Sequence, residues 1–145
     1  MSKPPRPLRS DYRHMSAITP RWRDNDVYAH VNNAVFFEYV DTAVNGWIIE
    51  YGGLAVPHGP VVGLVVHSEC QFFAALRFPR PVHTGLRVDR LGSSSVTYGV
   101  GLFDGDAEEA AAAAAFTHVY VDAQTHRPVP IPDMFRHALE GLRIG

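Results

Sequence analysis

Between residues 34 and 50 the apolar positions recur every three or four residues: Phe36, Val40, Ala43 and Trp47 form one line, and Phe37, Val44 and Ile48 widen it. That period predicts a helix, because residues three and four apart share one face. Asn32 or Asn33 can cap its first turn through a side-chain oxygen, and the Gly52-Gly53 pair supplies a stop after Tyr51. So broad an apolar face does not suit a helix lying in water, and it calls for a curved sheet wrapped around it.

Elsewhere the period is two. Residues 15–22 read as a first strand, with Pro20 pointing to a sheet edge. Farther along, Val62, Leu64, Val66, Cys70 and Phe72 alternate with His67, Glu69 and Gln71, as in a long strand with one wet or ligand-facing side. Residues 78–81 break that run. Leu86 and Val88 mark the next strand over 83–91, and Val96, Tyr98, Val100 and Leu102 mark another, ending at Asp104-Gly105-Asp106. These three segments suggest consecutive hairpins. The alanine tract at 110–115 favours a helix by propensity, but Phe116 to Val121 continues it as a strand, and a strand over 110–121 is predicted. A proline-rich link and a short helix over 132–142 close the chain. A strand, a long helix and four antiparallel strands make one α+β domain at 15–145, preceded by a flexible segment at 1–14 that carries three prolines.

Composition narrows the function classes. Thirteen basic and fifteen acidic residues leave a net charge of -2, which offers no general attraction for nucleic acid or an anionic bilayer. No stretch reaches the length of apolar residues needed to span a membrane. The single Cys70 cannot close an internal disulfide, and the basic, proline-rich start lacks the apolar run of a secretory signal, so a cytoplasmic location is expected. The histidines show no metal-ligand spacing, and no metal site is expected. The GxSxG, GxxxxGK[S/T] and GxGxxG patterns are all missing.

Candidate chemistry concentrates at residues 21–33. Asp26 stands in a loop just before the helix, where main-chain amides and the positive helix end favour its ionised form. It can attack an acyl carbon as nucleophile or activate water as general base, and the plainer reading of an aspartate before a helix is a structural cap. Asp24 has the plainer reading of a turn hydrogen bond or a pair with Arg21 or Arg23. His30 can orient a carboxylate or bind a substrate carbonyl, or pack as a structural imidazole. Asn32 and Asn33 offer amides at the helix entrance, and free N–H groups of the first turn can polarise a carbonyl. Glu69 and Gln71 can approach the site or face solvent. The Ser93-Ser94-Ser95 turn can hold a phosphate or a pantetheine-like arm, with Arg77, Arg80, Arg87 and Arg90 as sources of charge, or these residues serve as loop caps and solvated surface.

The block RWRDNDVYAHVNNAVFFEYVDTA at 21–43 closely resembles the hotdog-fold acyl-CoA thioesterase family that includes 4-hydroxybenzoyl-CoA thioesterase. The likeness continues through SECQFFAALRFPRPV, RLGSSSVTYGV and THVYVDAQTHRPVPIP. It implies a hotdog fold, a long central helix wrapped by a curved antiparallel sheet, in a homodimer at minimum or a further assembly such as a tetramer. It implies hydrolysis of an acyl-CoA thioester to a carboxylic acid and free coenzyme A, which is part of the substrate, so that no cofactor is expected; an acyl-carrier-protein thioester is a second substrate class. Asp26 matches the family's catalytic carboxylate, and His30 and Asn33 match positions near the substrate entrance. Trp22 and Tyr28, with Phe36 and Phe37, can shape an acyl pocket. Ser94, Ser95, Arg77 and Arg90 stand as coenzyme A contacts, and Glu69 and Asn32 as supports behind the site. The competing expectations are an acyl-CoA-binding sensor without turnover and a hotdog-fold enoyl-CoA hydratase.

Overall fold

The central helix of the computed structural model, which describes residues 5–144, is α1, Asn33–Trp47, prolonged by a wider π-helical stretch at Ile48–Gly52. Asn32 is the residue that caps it: its Oδ1 accepts a hydrogen bond from the Ala34 amide at 2.9 Å. Gly53 closes the far end at φ 74°, a left-handed conformation that costs glycine little. The buried face is Phe36, Tyr39, Val40, Ala43, Val44 and Trp47. Each large apolar side chain removed from water there contributes roughly 1.5–3 kcal/mol before entropy is counted. No helix among the described residues is long and apolar enough to cross a membrane.

Five antiparallel strands wrap this helix, in the hotdog arrangement. They are β1 (His14–Ile18), β2 (Val61–Phe72), β3 (Val82–Leu91), β4 (Ser95–Asp104) and β5 (Ala112–Asp122), and their order across the sheet is β1-β3-β4-β5-β2. A short α2, Asp133–Glu140, packs Phe135 against Trp47 and Tyr120. The first strand stops at Ile18, short of Pro20, and occupies a sheet edge as its proline suggests. Strand wins over helix propensity in the alanine tract because β5 has hydrogen-bonding partners on both sides, β4 and β2. Ala112, Ala114, Phe116, His118 and Tyr120 then alternate inward against α1.

Two expectations need correction. The strands β2, β3 and β4 do not form consecutive hairpins: β2 crosses to the far side of β5, and only β3 and β4 make a tight hairpin. Nor does β2 keep one wet face. Its register slips between Val65 and His67, so Val66 is a surplus residue and the phase of the strand inverts there. Before the bulge Gly63 and Val65 lie opposite the inward-facing Tyr120 and His118, and after it Ser68, Cys70 and Phe72 lie opposite Phe116, Ala114 and Ala112. Val62 and Leu64 thus face the opposite way from Cys70 and Phe72. Periodicity cannot register an insertion that leaves both halves alternating.

Of the N-terminal segment expected to be flexible, residues 1–4 lie outside the described residues. From Arg6 onward the chain is tied to the β4–β5 turn: Arg6 donates to the Ala110 carbonyl at 2.9 and 3.0 Å, and Arg9 donates to the carbonyls of Gly105 and Ala107 at 2.7 and 2.9 Å. Tyr12 packs edge-on against Phe103 in a second, smaller apolar cluster.

Candidate functional site

The loop before α1 is built by main-chain hydrogen bonds that leave its side chains free. Asp26 N donates to the His30 carbonyl at 2.8 Å, Ala29 N donates to the Asp26 carbonyl at 3.1 Å, and Asn25 and Val31 bridge the base of the turn. Ala29 takes φ 61°, the left-handed conformation the tight turn imposes. Val31 N then donates to the Leu76 carbonyl and Asn32 N to the Asp24 carbonyl, both at 2.8 Å, which fixes the turn to the chain leaving β2 and to its own start.

Asp26 is half-buried in this turn, and its Oδ1 accepts from the Tyr28 amide at 2.8 Å. The carboxylate is therefore oriented from its own backbone, with Oδ2 left for other work. Ala34 N is satisfied by the Asn32 side chain and Val35 N by the Asn32 carbonyl at 2.9 Å. Asn33 supplies the first helical N–H, one of the donors a helix start leaves without an intrahelical acceptor.

Asp24, two residues earlier, is the structural carboxylate. Only 1% exposed, it accepts at Oδ2 from the Tyr39 hydroxyl at 2.7 Å and the Arg21 amide at 2.9 Å, and at Oδ1 from the Arg21 guanidinium at 2.9 and 3.1 Å. Burial by itself would raise its pKa. The Arg21 amide, the Tyr39 hydroxyl and the Arg21 guanidinium outweigh that and hold it below the ordinary carboxylate value. The pairing with Arg21 is readable in the sequence, whereas the bond to Tyr39 is not.

Around Asp26 the surface is aromatic and open. Val27, Tyr28 and Trp22 are 92%, 77% and 74% exposed, and Trp22 stands edge-on to Phe78 at 5.8 Å. Phe36 is buried while Phe37 is partly exposed, and both meet Phe72 of β2, at 5.1 and 6.5 Å. His30 is half-buried, and its carbonyl closes the turn. Arg77 follows Leu76, the residue to which the loop is anchored, and belongs to the same neighbourhood.

The other candidates lie elsewhere in the chain. Ser94 and Ser95 sit at the β3–β4 hairpin with Arg90 on the adjoining strand, at the level of Val119 and Tyr120 in β5, whereas Phe72 and the start of α1 meet β5 near Ala112. Seven strand residues separate those levels, about 23 Å at the rise of an antiparallel strand. Arg136 of α2 donates to the carbonyls of Gly92 and Ser93 and holds that turn shut. Glu69 is exposed on the sheet face turned away from α1, where its Oε2 lies 3.3 Å from His67 Nε2. Among the described residues no three His, Cys, Asp or Glu side chains gather into a metal-holding group.

A buried polar chain escaped the sequence reading. His118 Nδ1 lies 3.0 Å from the Tyr120 hydroxyl, which lies 2.7 Å from the Tyr98 hydroxyl, all beneath the second half of α1. Burial lowers the His118 pKa to about 4 and raises those of both tyrosines, so all three are neutral at neutral pH. The available signal was that His118 falls on the same alternation phase as Phe116 and Tyr120.

Comparison with known proteins places the chain among relatives of this architecture. The profile of the thioesterase-like superfamily matches residues 20–139. A crystal structure from Pseudomonas aeruginosa strain PAO1 is 50% identical over 96% of this chain and 97% of its own, with a TM-score of 0.93. A Thermus thermophilus thioesterase complexed with coenzyme A and Zn is 26% identical over 90% of this chain and 94% of its own, with a TM-score of 0.74. A 1,4-dihydroxy-2-naphthoyl-CoA thioesterase from Synechocystis, 16% identical, shares the fold over 86% of this chain and 93% of its own at a TM-score of 0.77. No curated protein matches the chain.

Proposed function

Because the chain belongs to the thioesterase-like superfamily, we propose that it hydrolyses acyl-CoA thioesters to a carboxylic acid and free coenzyme A, with Asp26 as the reacting carboxylate. The observation that carries this reading is the placement of Asp26: a half-buried carboxylate, held through one oxygen by the Tyr28 amide, in a turn that runs straight into the positive end of α1. A thioester carbonyl lying against that helix end would receive the Asn33 N–H on its oxygen, stabilising the negative charge that develops as the carbon is attacked. Asp26 Oδ2 then acts in one of two balanced ways. It adds to the carbon and expels the coenzyme A thiolate, leaving an anhydride that water opens; or it takes a proton from water, which adds to the carbon itself while the thiolate leaves and is protonated.

The working unit of this proposal is a homodimer at minimum. Among the described residues β2 is bonded along one side, to β5, and its other edge carries exposed Leu64, Val65 and Val66, an arrangement that invites pairing with a second copy. A partner also covers the apolar surface at Trp22, Val27 and Tyr28 and carries Ser94, Ser95 and Arg90 as coenzyme A contacts that one chain holds too far from its own Asp26. His30 orients the acyl group, Arg77 meets coenzyme A from the Asp26 side, and Asn32 supports the site by capping α1.

The test follows thiol release from a panel of acyl-CoA and acyl-carrier-protein thioesters with wild type and Asp26→Asn. Turnover by wild type that drops at least about a hundredfold in Asp26→Asn, with binding retained, bears out the reading. Binding without thiol release across the panel makes the protein a sensor, hydration of an enoyl thioester without thiol loss makes it a hydratase, and undiminished turnover by the variant removes Asp26 from the chemistry.

A further inference from the structure

Beneath the second half of α1, at the end away from Asp26 of the same chain, lies a cavity of about 180 Å³. It is lined by Asn45, Ile48, Leu54, Val56, Pro57 and Val61, together with His118 and Tyr120. It is comparable in size to a cavity of about 150 Å³ that takes up benzene, so a group of about six carbons fits. The space depends on Gly63, which also lines it: a Cβ there would stand 2.9 Å from Tyr120 Cε1 and 3.0 Å from His118 Nδ1.

The hydrogen-bond accounting of the buried chain fixes what the cavity presents. If Tyr98 donates to Tyr120 and Tyr120 donates to His118 Nδ1, every hydroxyl hydrogen is used and the neutral imidazole carries its proton on Nε2. The reverse order leaves the Tyr98 hydrogen without an acceptor in the core, which is unfavourable for a fully buried hydroxyl. His118 is 3% exposed, and its Nε2 has no hydrogen-bond partner among the described residues. Nε2 is not sealed away either, since Asn25 Oδ1 is the one closed-off, unpartnered side-chain atom among them. An N–H donor therefore remains on a ring that lines the chamber, where the other polar groups are the Tyr120 hydroxyl and Asn45, whose Nδ2 is held by Asp41.

Asp26 of the same chain is at the other end of α1, about 18 Å away along the helix from Asn33 to Asn45. A second copy brings one closer. Full antiparallel pairing of two β2 edges sets Val61 to Gly63 of one protomer beside residues 70–72 of the other, and Phe72 touches Phe36 and Phe37 in the first turn of α1. The cavity of one protomer then adjoins the reacting end of the other.

We propose that this cavity receives the far end of the acyl group whose thioester is attacked by Asp26 of the partner subunit, and that His118 selects acyl groups bearing an oxygen acceptor there over plain hydrocarbon of equal length. The inference rests on the thioesterase reading above and names its substrate class. Plain acyl-CoAs and their keto counterparts, matched over a range of chain lengths, are compared by kcat/KM. One neutral hydrogen bond predicts a preference of about fivefold for the best-placed keto compound. His118→Phe erases that preference, and Gly63→Ala raises KM for the acyl groups long enough to reach the cavity. Equal rates for matched pairs in wild type, or a preference that survives His118→Phe, overturn the proposal.

A second measurement is independent of turnover: titration of wild type with cyclohexanone, following the imidazole ¹⁵N signals. A shift of His118 Nε2 that is lost in folded Gly63→Ala supports the site, and an unmoved signal refutes it. Absence of thiol release from every thioester would sink the thioesterase reading, while this titration would still report on the cavity.

Discussion

The hydroxyl of Tyr39 donates to Oδ2 of Asp24 across 2.7 Å, joining the second turn of α1 to the loop that runs into it. A hydrogen bond from a neutral donor to a buried carboxylate contributes roughly 1.5–3 kcal/mol, so Tyr39→Phe is expected to lose about that much in urea unfolding. Asp24→Asn loses more, because the Arg21 pair goes with it. The two losses should fall short of additive in a double-mutant cycle, and full additivity would show that the bond contributes nothing. The pH dependence has a definite sign. The folded pKa of Asp24 lies below 3.8, so its contribution is complete above that unfolded value and is lost as pH falls through the folded one. Tyr39→Phe should therefore unfold at a higher pH than wild type during acid titration.

His118 gives a second pH signature. Burial lowers its pKa from 6.5 to about 4, so between those values the unfolded chain holds a proton that the folded one refuses. Stability falls as pH drops through that window, by at most roughly 3 kcal/mol from this group. Unfolding free energies of wild type and His118→Phe measured from pH 7 to pH 4 should show a shallower slope in the variant. Parallel curves would mean that the imidazole is protonated in the fold.

Asp26 should separate activity from stability. Its one side-chain hydrogen bond, from the Tyr28 amide, is exposed, and the turn is closed by main-chain bonds that a substitution leaves in place. Asp26→Asn is expected to melt within about 1 kcal/mol of wild type while losing thiol release. A large drop in melting temperature would mark the residue as a keystone of the loop instead.

At the free edge of β2, Val66→Lys would set a charge on each of two copies near the centre of the proposed contact. Sedimentation should show wild type as a dimer and the variant as monomer at equal concentration, with thiol release falling alongside. A variant that stays dimeric would move the interface off this edge.

Much of the fold is legible in the sequence because helix and strand announce themselves through their periods. Phe36, Val40, Ala43 and Trp47 mark the buried face of α1, and the Tyr98-Val100-Leu102 alternation marks β4. What escapes is information about neighbours. Nothing in the β2 sequence states that its partner is β5 rather than β3, and the bulge at Val66 is silent because apolar residues stand on both sides of it. The site divides in the same way. Asp26 is visible from its position before a capped helix, and the Asp24–Arg21 pair from its spacing, but the Tyr98–Tyr120–His118 chain depends on two strands lying side by side.

The surplus residue in β2 has a consequence for how this strand can change over time. Trimming Val66 would remove the bulge and let the strand alternate without a break, with Gly63 and Val65, like Cys70 and Phe72, keeping the faces they have now. A single-codon deletion here would thus be absorbed at one address, its effect confined to the local kink and twist that a bulge imposes.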